Sequence, residues 1–467
     1  MSSRLFTDRK GDEGLPGRER RLAVLALVLG TSMAVIDTTM VNVALPRIAD
    51  DLQVTGSQVV WVTNLFQVVC AAFLLVFAAL SELLSRRRLY TFGMALFSLA
   101  AVGAALSTRL ESLLLFRALQ GLGAAATLSI GTSLYRSIFP TRLLGSALGL
   151  SSMVVAVGYA TGPAIGGLVL SLASWPWLFI LPAPLGVTAA WLAWRALPRE
   201  PRRQGSFDVF GALCAIATLA AFFAAMRALD GGALRPPVLL WLTLAGLAFA
   251  LFVWRQRRAP HPLLHLALFK VARFRLALAA QSLAFIGHGV AFVALSFLFQ
   301  ENMGMTPLHT AWLFTPWPLT VMVVGPLAGR LADHLNPALP ASVGLGLLLV
   351  GLVALARLDI DAGMLDILWR MALCGTGFGL FQSPNNRELM GSIPRERSAN
   401  ASGTMSTTRT VAQSLGVALV GAFLAVGLPL QATLWLGSFS CLLALIVSLS
   451  RLPLARRRTS PPARQVQ

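Results

Sequence analysis

The chain has 467 residues, of which 56% are hydrophobic and only 12% charged, about half the charged share of a typical soluble domain. That balance excludes a soluble enzyme or binding domain and describes an all-α polytopic membrane protein. A net charge of +19 would suit a nucleic-acid binder in a soluble chain, but the placement of the charge excludes nucleic acid here.

The first 20 residues are polar and charged, with no cleavable signal ahead of the first apolar run. That run covers 22–46, long enough for one tilted helix to cross a bilayer, and is expected to act as its own insertion signal. Further spans are predicted at 57–81, 89–108 and 110–135. Residues 143–194 carry no charge and are too long for one helix, so two are expected, with Ser174-Trp175-Pro176-Trp177 as the hairpin between them. Then come 209–226, 236–254, 276–300, 304–329, 337–356, 367–386, 401–427 and 429–450, fourteen in all.

An even count places both termini on one side, and the basic residues choose the side. Lys10 and Lys270 are the only lysines. If spans alternate from a cytoplasmic amino terminus, Arg47, Arg109, Arg227, Arg235 and Arg357 fall outside, and Arg117, Arg370 and Arg409 fall within spans. The other 30 of the 38 basic residues are then cytoplasmic, which is the positive-inside pattern of a cell-membrane protein. Cys70, Cys214, Cys374 and Cys441 all lie in apolar spans without metal spacing and read as packing thiols.

The longest polar connection follows the eighth span. It predicts a cytoplasmic linker over 257–273 between a six-helix bundle at 21–198 and another at 274–452. The helices of 199–256 are inserted between them. The segment Leu263 to Phe269 is expected to lie at the membrane interface, and the tails 1–20 and 453–467 to be cytoplasmic and disordered. Ala78-Ala79-Leu80-Ser81-Glu82 and Gly329-Arg330-Leu331-Ala332-Asp333 echo each other, each with an acid just past a helix end.

Charged groups inside spans are costly, and they are functional by default. Asp37 lies nine residues before Pro46, about 13 Å below the expected outer end of its helix. Arg117 lies seven residues into a helix running the other way, about 10 Å deep. The two sit at similar depth and can pair. Desolvation favours a protonated acid and a nearby cation opposes it, so such a carboxyl can take up and release a proton; a fixed structural ion pair is the alternative. His288 and the span residues Asn42, Gln67, Gln120, Gln281, Gln382, Gln413 and Arg409 are candidates for a polar cavity or for plain helix contacts. Arg370 is expected to snorkel to the surface, and Asn385-Asn386-Arg387 to cap a helix end.

Four stretches in order carry a family resemblance over about residues 20–450. Asp37-Thr38-Thr39-Met40-Val41-Asn42-Val43-Ala44-Leu45-Pro46, Arg117-Ala118-Leu119-Gln120-Gly121 and Gly158-Tyr159-Ala160-Thr161-Gly162-Pro163-Ala164-Ile165-Gly166-Gly167 resemble the first-, fourth- and fifth-helix motifs of the fourteen-span drug:proton antiporters of the major facilitator superfamily, the EmrB/QacA type. The loop after the second helix matches only loosely. Only the basic Arg86, Arg87 and Arg88 are as expected, while Ala78, Glu82, Leu83 and Ser85 stand where the family usually has glycine, aspartate, arginine and glycine. The second copy keeps Gly329 and Asp333 but has His334, and Pro176 and Pro182 replace the family's usual arginine and asparagine after the fifth helix.

The resemblance implies a major facilitator fold, Asp37 and Arg117 at the coupling site, and gating at Gly158, Gly162, Pro163, Gly166 and Gly167 and at the loop residues Glu82, Arg86, Arg87, Gly329 and Asp333. It also implies export of amphipathic, cationic compounds by a monomer, with protons as coupling ion and no other cofactor. Membrane lipids are the remaining expected partner. The chain has no phosphate-binding Gly-x-x-x-x-Gly-Lys loop, metal cluster or nucleophile–base pair, so it is not read as an enzyme and an ion gradient is the expected energy source. Export of an endogenous metabolite or siderophore, and a transport-inactive sensor, are the alternatives.

Overall fold

Proline removes a backbone donor and usually ends a helix, yet in the computed structural model the first helix runs through one. The structure describes residues 14–140, 143–198, 207–228, 236–260, 262–393 and 398–453. Helix α1 spans Gly17–Leu52 with Pro46 inside it. Two expectations change. Residues 17–20 are helix rather than tail, because Leu15 N–H donates to the Ile138 carbonyl at 3.1 Å and buried Arg20 donates to the Leu15 carbonyl. Asp37 moves to mid-helix, fifteen residues or about 22 Å from the true end. The turn that follows is built from Gln53, with φ of 53°, and Thr55, whose hydroxyl and Gln58 form a reciprocal cap on α2 (Gly56–Leu83).

The remaining spans are α3 (Arg86–Ala105), α4 (Leu110–Ile138), α5 (Leu144–Leu172), α6 (Trp177–Ala196), α7 (Val209–Ala228), α8 (Pro236–Arg258), α9 (Ala272–Asn302), α10 (Pro307–His334), α11 (Ala338–Ala356), α12 (Met364–Gly391), α13 (Ser398–Ala425) and α14 (Leu430–Leu449). Fourteen helices among the described residues are thus long and apolar enough to cross a membrane. The backbone turns between α5 and α6 at the Ser174–Pro176 stretch.

Packing follows one plan twice. In the first half α1 packs on α5 and α6, α3 on α4 and α6, and α2 on α4; in the second, α9 packs on α13 and α14, α11 on α12 and α14, and α10 on α12. The halves meet reciprocally, α2 against α13 and α5 against α10. The α7–α8 pair packs mainly on itself and beside α2 and α13. Asp208 ties that pair off by accepting from the Gly211 N–H, Arg255 Nε at 2.8 Å and the Gln256 amide. In the linker a short 3₁₀ turn, Leu266–Lys270, buries Leu268 against Phe274 and Ala277.

Pro46 explains part of the contact between halves. Its missing N–H frees the Asn42 carbonyl, four residues back. Ser296 Oγ of α9 donates to that carbonyl at 2.9 Å, and Gln300 Nε2 donates to the Val43 carbonyl at 2.8 Å. The proline thus supplies an acceptor to the opposite bundle.

At the other end of the second half, Arg451 is fully buried and donates to Glu388 at 2.9 Å and to Asn385 at 2.7 Å. Asn385 also donates to the Ala277 carbonyl at 3.2 Å. Asn385 therefore ties three helices together inside α12, which runs on to Gly391, and the predicted cap at Asn385-Asn386-Arg387 is corrected. Removing one partner of a buried pair leaves an uncompensated charge, at a cost of roughly 3–5 kcal/mol. Arg451→Met is expected to lower the thermal midpoint of the detergent-purified protein clearly, while Glu388→Met/Arg451→Met recovers much of the loss.

Candidate functional site

Two features stand out inside the bundle. The first is an ion pair. Arg117 of α4 and Asp37 of α1 are both fully buried, with Arg117 Nη1 2.7 Å from Asp37 Oδ2. The same Nη1 donates to Gln120 Oε1 at 2.9 Å, Gln120 Nε2 points at Asp37 Oδ1 from 3.5 Å, and Arg117 Nε donates to the Val62 carbonyl at 2.9 Å. The guanidinium lies over the rings of Phe66, at 4.4 Å, and Phe179, at 5.6 Å. Three helices and two aromatic faces therefore hold one charge pair where the medium is poorest in water.

The sequence reading paired Asp37 with Arg117 and left Gln120 among the cavity candidates; the structure brings all three into one network. It adds Val62, Phe66 and Phe179, which no charge pattern pointed to. In the arrangement described here Asp37 is closed off by its partner and does not line the cavity described next.

The second feature is a cavity of about 520 Å³ between α5 and the second half, within the usual range for drug-sized ligands. His288 stands in its wall, ringed by Phe292 at 4.5 Å, Phe378 at 4.9 Å, Trp317 at 5.6 Å, Phe285 at 5.9 Å and Tyr159 at 6.3 Å. Gln382 and Arg409 also line it, and the Arg409 guanidinium rests 5.8 Å from the Phe285 ring centre. Phe285, His288 and Phe292 recur at helical spacing, a signal visible in the sequence but read only at the histidine.

The other candidates divide. Gln281 donates to the Met405 carbonyl at 3.0 Å and is a helix contact within the second half. Asn42 is buried and meets the other half through its backbone carbonyl; its side-chain oxygen and both amide atoms of Gln67 are buried without hydrogen-bond partners. Gln413 is buried beside Ser414, whose hydroxyl meets Asn64 across the halves. Arg370 pairs with the partly exposed Asp366 at 2.6 Å, one turn nearer the start of its helix, and donates to the Ala354 carbonyl at 2.5 Å. All four cysteines are buried and unbridged.

The glycine motif works as a two-sided surface. A side chain at Gly158 would meet Val35, one at Gly162 would meet Thr39, and one at Gly166 would come within 2.9 Å of the Met40 carbonyl, all on α1. Gly167 instead faces α10, where a side chain would meet Ala311 and come within 2.8 Å of the Pro307 carbonyl. Helix α5 continues through Pro163. It therefore lies between its own bundle and the opposite one with no side chain to spare on either face. In the loop after α2, Arg86 and Arg87 open α3, and Arg87 rests 4.8 Å from the Trp194 ring centre. Gly329 sits within α10, near Ser383. The side chains of Glu82 and Asp333 lie outside the described residues.

Two six-helix units of like packing, joined reciprocally beside a cavity, with a buried ion pair inside the first unit, define a membrane transporter. The family model described as Major Facilitator Superfamily matches residues 27–417, and the chain belongs to that superfamily. It is 40% identical to the Uncharacterized transporter YebQ of Escherichia coli (strain K12), over 88% of this chain and 91% of that one. It is 31% identical to the Multidrug resistance protein Stp of Mycobacterium tuberculosis (strain ATCC 25618 / H37Rv), over 87% and 76%. The Riboflavin transporter RibZ of Clostridioides difficile (strain 630) is 27% identical over 87% and 89%. Among solved structures, a bacterial homolog of the human lysosomal transporter Spinster, inward-facing and unoccupied, has the same fold, with a TM-score of 0.69 at 16% identity over 95% of this chain and 99% of that one.

Proposed function

We propose that the protein exports amphipathic small molecules across the cell membrane in exchange for protons, by alternating access between its two halves, with both termini cytoplasmic. The observation that carries the reading is the buried Asp37–Arg117–Gln120 network. In the state described here the carboxylate is held by a guanidinium. In the exchange, opening of the pair lets the carboxylate take a proton, and re-pairing with the guanidinium expels it. Substrate and proton then exclude each other through the conformation of the halves rather than by sharing one site, because Asp37 and the cavity lining are separate.

Support comes also from relatives named for multidrug resistance and efflux. On this topology the contacts of Ser296 and Gln300 lie at the outer end, so the halves are closed there. A second reading, transport of an endogenous metabolite, draws on the relative named as a riboflavin transporter and uses the same exchange. Everted membrane vesicles test the coupling. Substrate added to vesicles energised by an acid interior should release protons, read by a pH-sensitive dye, and uptake should stop with a protonophore. Uptake unaffected by the protonophore removes proton exchange from the mechanism.

A further inference from the structure

The cavity has a charge signature. Among the described residues that line it, the one formal charge is Arg409, and no carboxylate is present. The rest of the wall is aromatic and aliphatic, with a few neutral polar groups. Two polar atoms of residues in its wall, His288 Nδ1 and Trp317 Nε1, are buried without a hydrogen-bond partner. Their side chains are 95% and 99% buried, and buried polar groups are normally satisfied.

From this we infer that the cavity takes planar aromatic compounds bearing an acidic group. The ring system stacks among Phe292, Trp317 and Phe378, the acidic oxygens face Arg409, and Trp317 Nε1–H donates to a further acceptor on the ligand. A cation is disfavoured, since no carboxylate in the lining offsets it and Arg409 repels it. The inference rests on the exporter reading for its physiological meaning, but concerns what the cavity binds and can be tested apart from transport.

Fluorescein and rhodamine 123 share one ring skeleton and carry opposite charge, so they separate charge from shape. Binding is measured by fluorescence anisotropy on the full-length protein in nanodiscs. Neutral phosphatidylcholine discs leave Arg409 free of the other anion that reaches such a site, a lipid headgroup; discs with phosphatidylglycerol supply it. The wild type is expected to bind fluorescein about tenfold or more tightly than rhodamine 123. Arg409→Gln should lose about tenfold or more toward fluorescein and gain toward rhodamine, and Arg409→Lys should recover part of the loss. Trp317→Phe, which keeps the ring and removes one donor, should lose a few-fold toward fluorescein, about the worth of one hydrogen bond. Thermal melts check that each variant is folded.

Rhodamine bound more tightly than fluorescein by the wild type, fluorescein binding indifferent to Arg409→Gln, or no binding of either dye overturns the inference. Fluorescein displaced by phosphatidylglycerol to the same extent in wild type and Trp317→Phe, with no aromatic contribution, assigns Arg409 to lipid and also overturns it. Arg409-dependent fluorescein binding without energised uptake in vesicles upholds the inference and removes the exporter reading instead.

Discussion

Asp37→Asn is expected to reduce gradient-driven efflux in everted vesicles to the level seen with a protonophore, while leaving the protein folded enough to bind ligand. The change is nearly isosteric: an amide oxygen can still accept from Arg117 Nη1, which lies 2.7 Å from Asp37 Oδ2. What it removes is the one carboxyl in the network, the group that the proposed exchange uses to carry the proton. The guanidinium is left without a countercharge but keeps the Val62 carbonyl, Gln120 Oε1 and the faces of Phe66 and Phe179. A loss of stability accompanies the loss of charge, on the scale of roughly 3–5 kcal/mol for breaking a buried pair. Stability and coupling must therefore be separated. The double variant Asp37→Asn/Arg117→Gln removes both charges, so its melting temperature should rise above that of Asp37→Asn, yet it should be as inactive. If the double variant regains gradient-driven efflux, the pair is only a structural clamp. Equal efflux by Asp37→Asn and wild type removes Asp37 from coupling altogether.

The fourteen spans were legible because charge is so rare in this chain that apolar runs mark themselves. The same rarity made Asp37 and Arg117 conspicuous, and helix rise was enough to bring them to one depth. The errors have a common cause. Pro46 read as a helix end because a lone proline removes a hydrogen bond; in the bundle the freed Asn42 carbonyl gains Ser296 as donor, so the helix can continue to Leu52. Asn385-Asn386-Arg387 read as a cap because asparagine suits helix ends, but Asn385 is satisfied by Ala277 and Arg451, which are distant in sequence. The cavity was the least legible part. Its walls come from α5, α9, α10, α12 and α13, and nothing local to Phe378, Trp317 or Arg409 announces that they share a space. That the cavity lies apart from Asp37 was illegible for the same reason: sequence brought the acid and its partner to one depth but gave no sign of which helices line the cavity.

Gly167→Leu is expected to shift the protein out of the state described here. Helix α5 presents Gly158, Gly162 and Gly166 to α1 and Gly167 to α10. Filling Gly162 strains one bundle internally, but filling Gly167 acts on the join between bundles. A leucine there meets Ala311 and the Pro307 backbone, which cannot turn aside as a flexible side chain can. Overpacking typically costs about 1–3 kcal/mol, enough to move a two-state ratio by roughly 5- to 150-fold. Relief comes from parting α5 and α10 at this end, which also breaks the bonds of Ser296 and Gln300 to the α1 carbonyls. A cysteine at Ser296, fully buried here, should therefore resist a membrane-impermeant maleimide in the Ser296→Cys protein and react in Ser296→Cys/Gly167→Leu. Background labelling is low because the four native cysteines are buried. Gly346→Leu is the control, since a side chain there meets nothing within 4 Å, and it should leave labelling unchanged. Labelling that stays at the control level with Gly167→Leu means that α5 and α10 do not part at this end, and the gate must then be sought at the other reciprocal contact, α2 against α13.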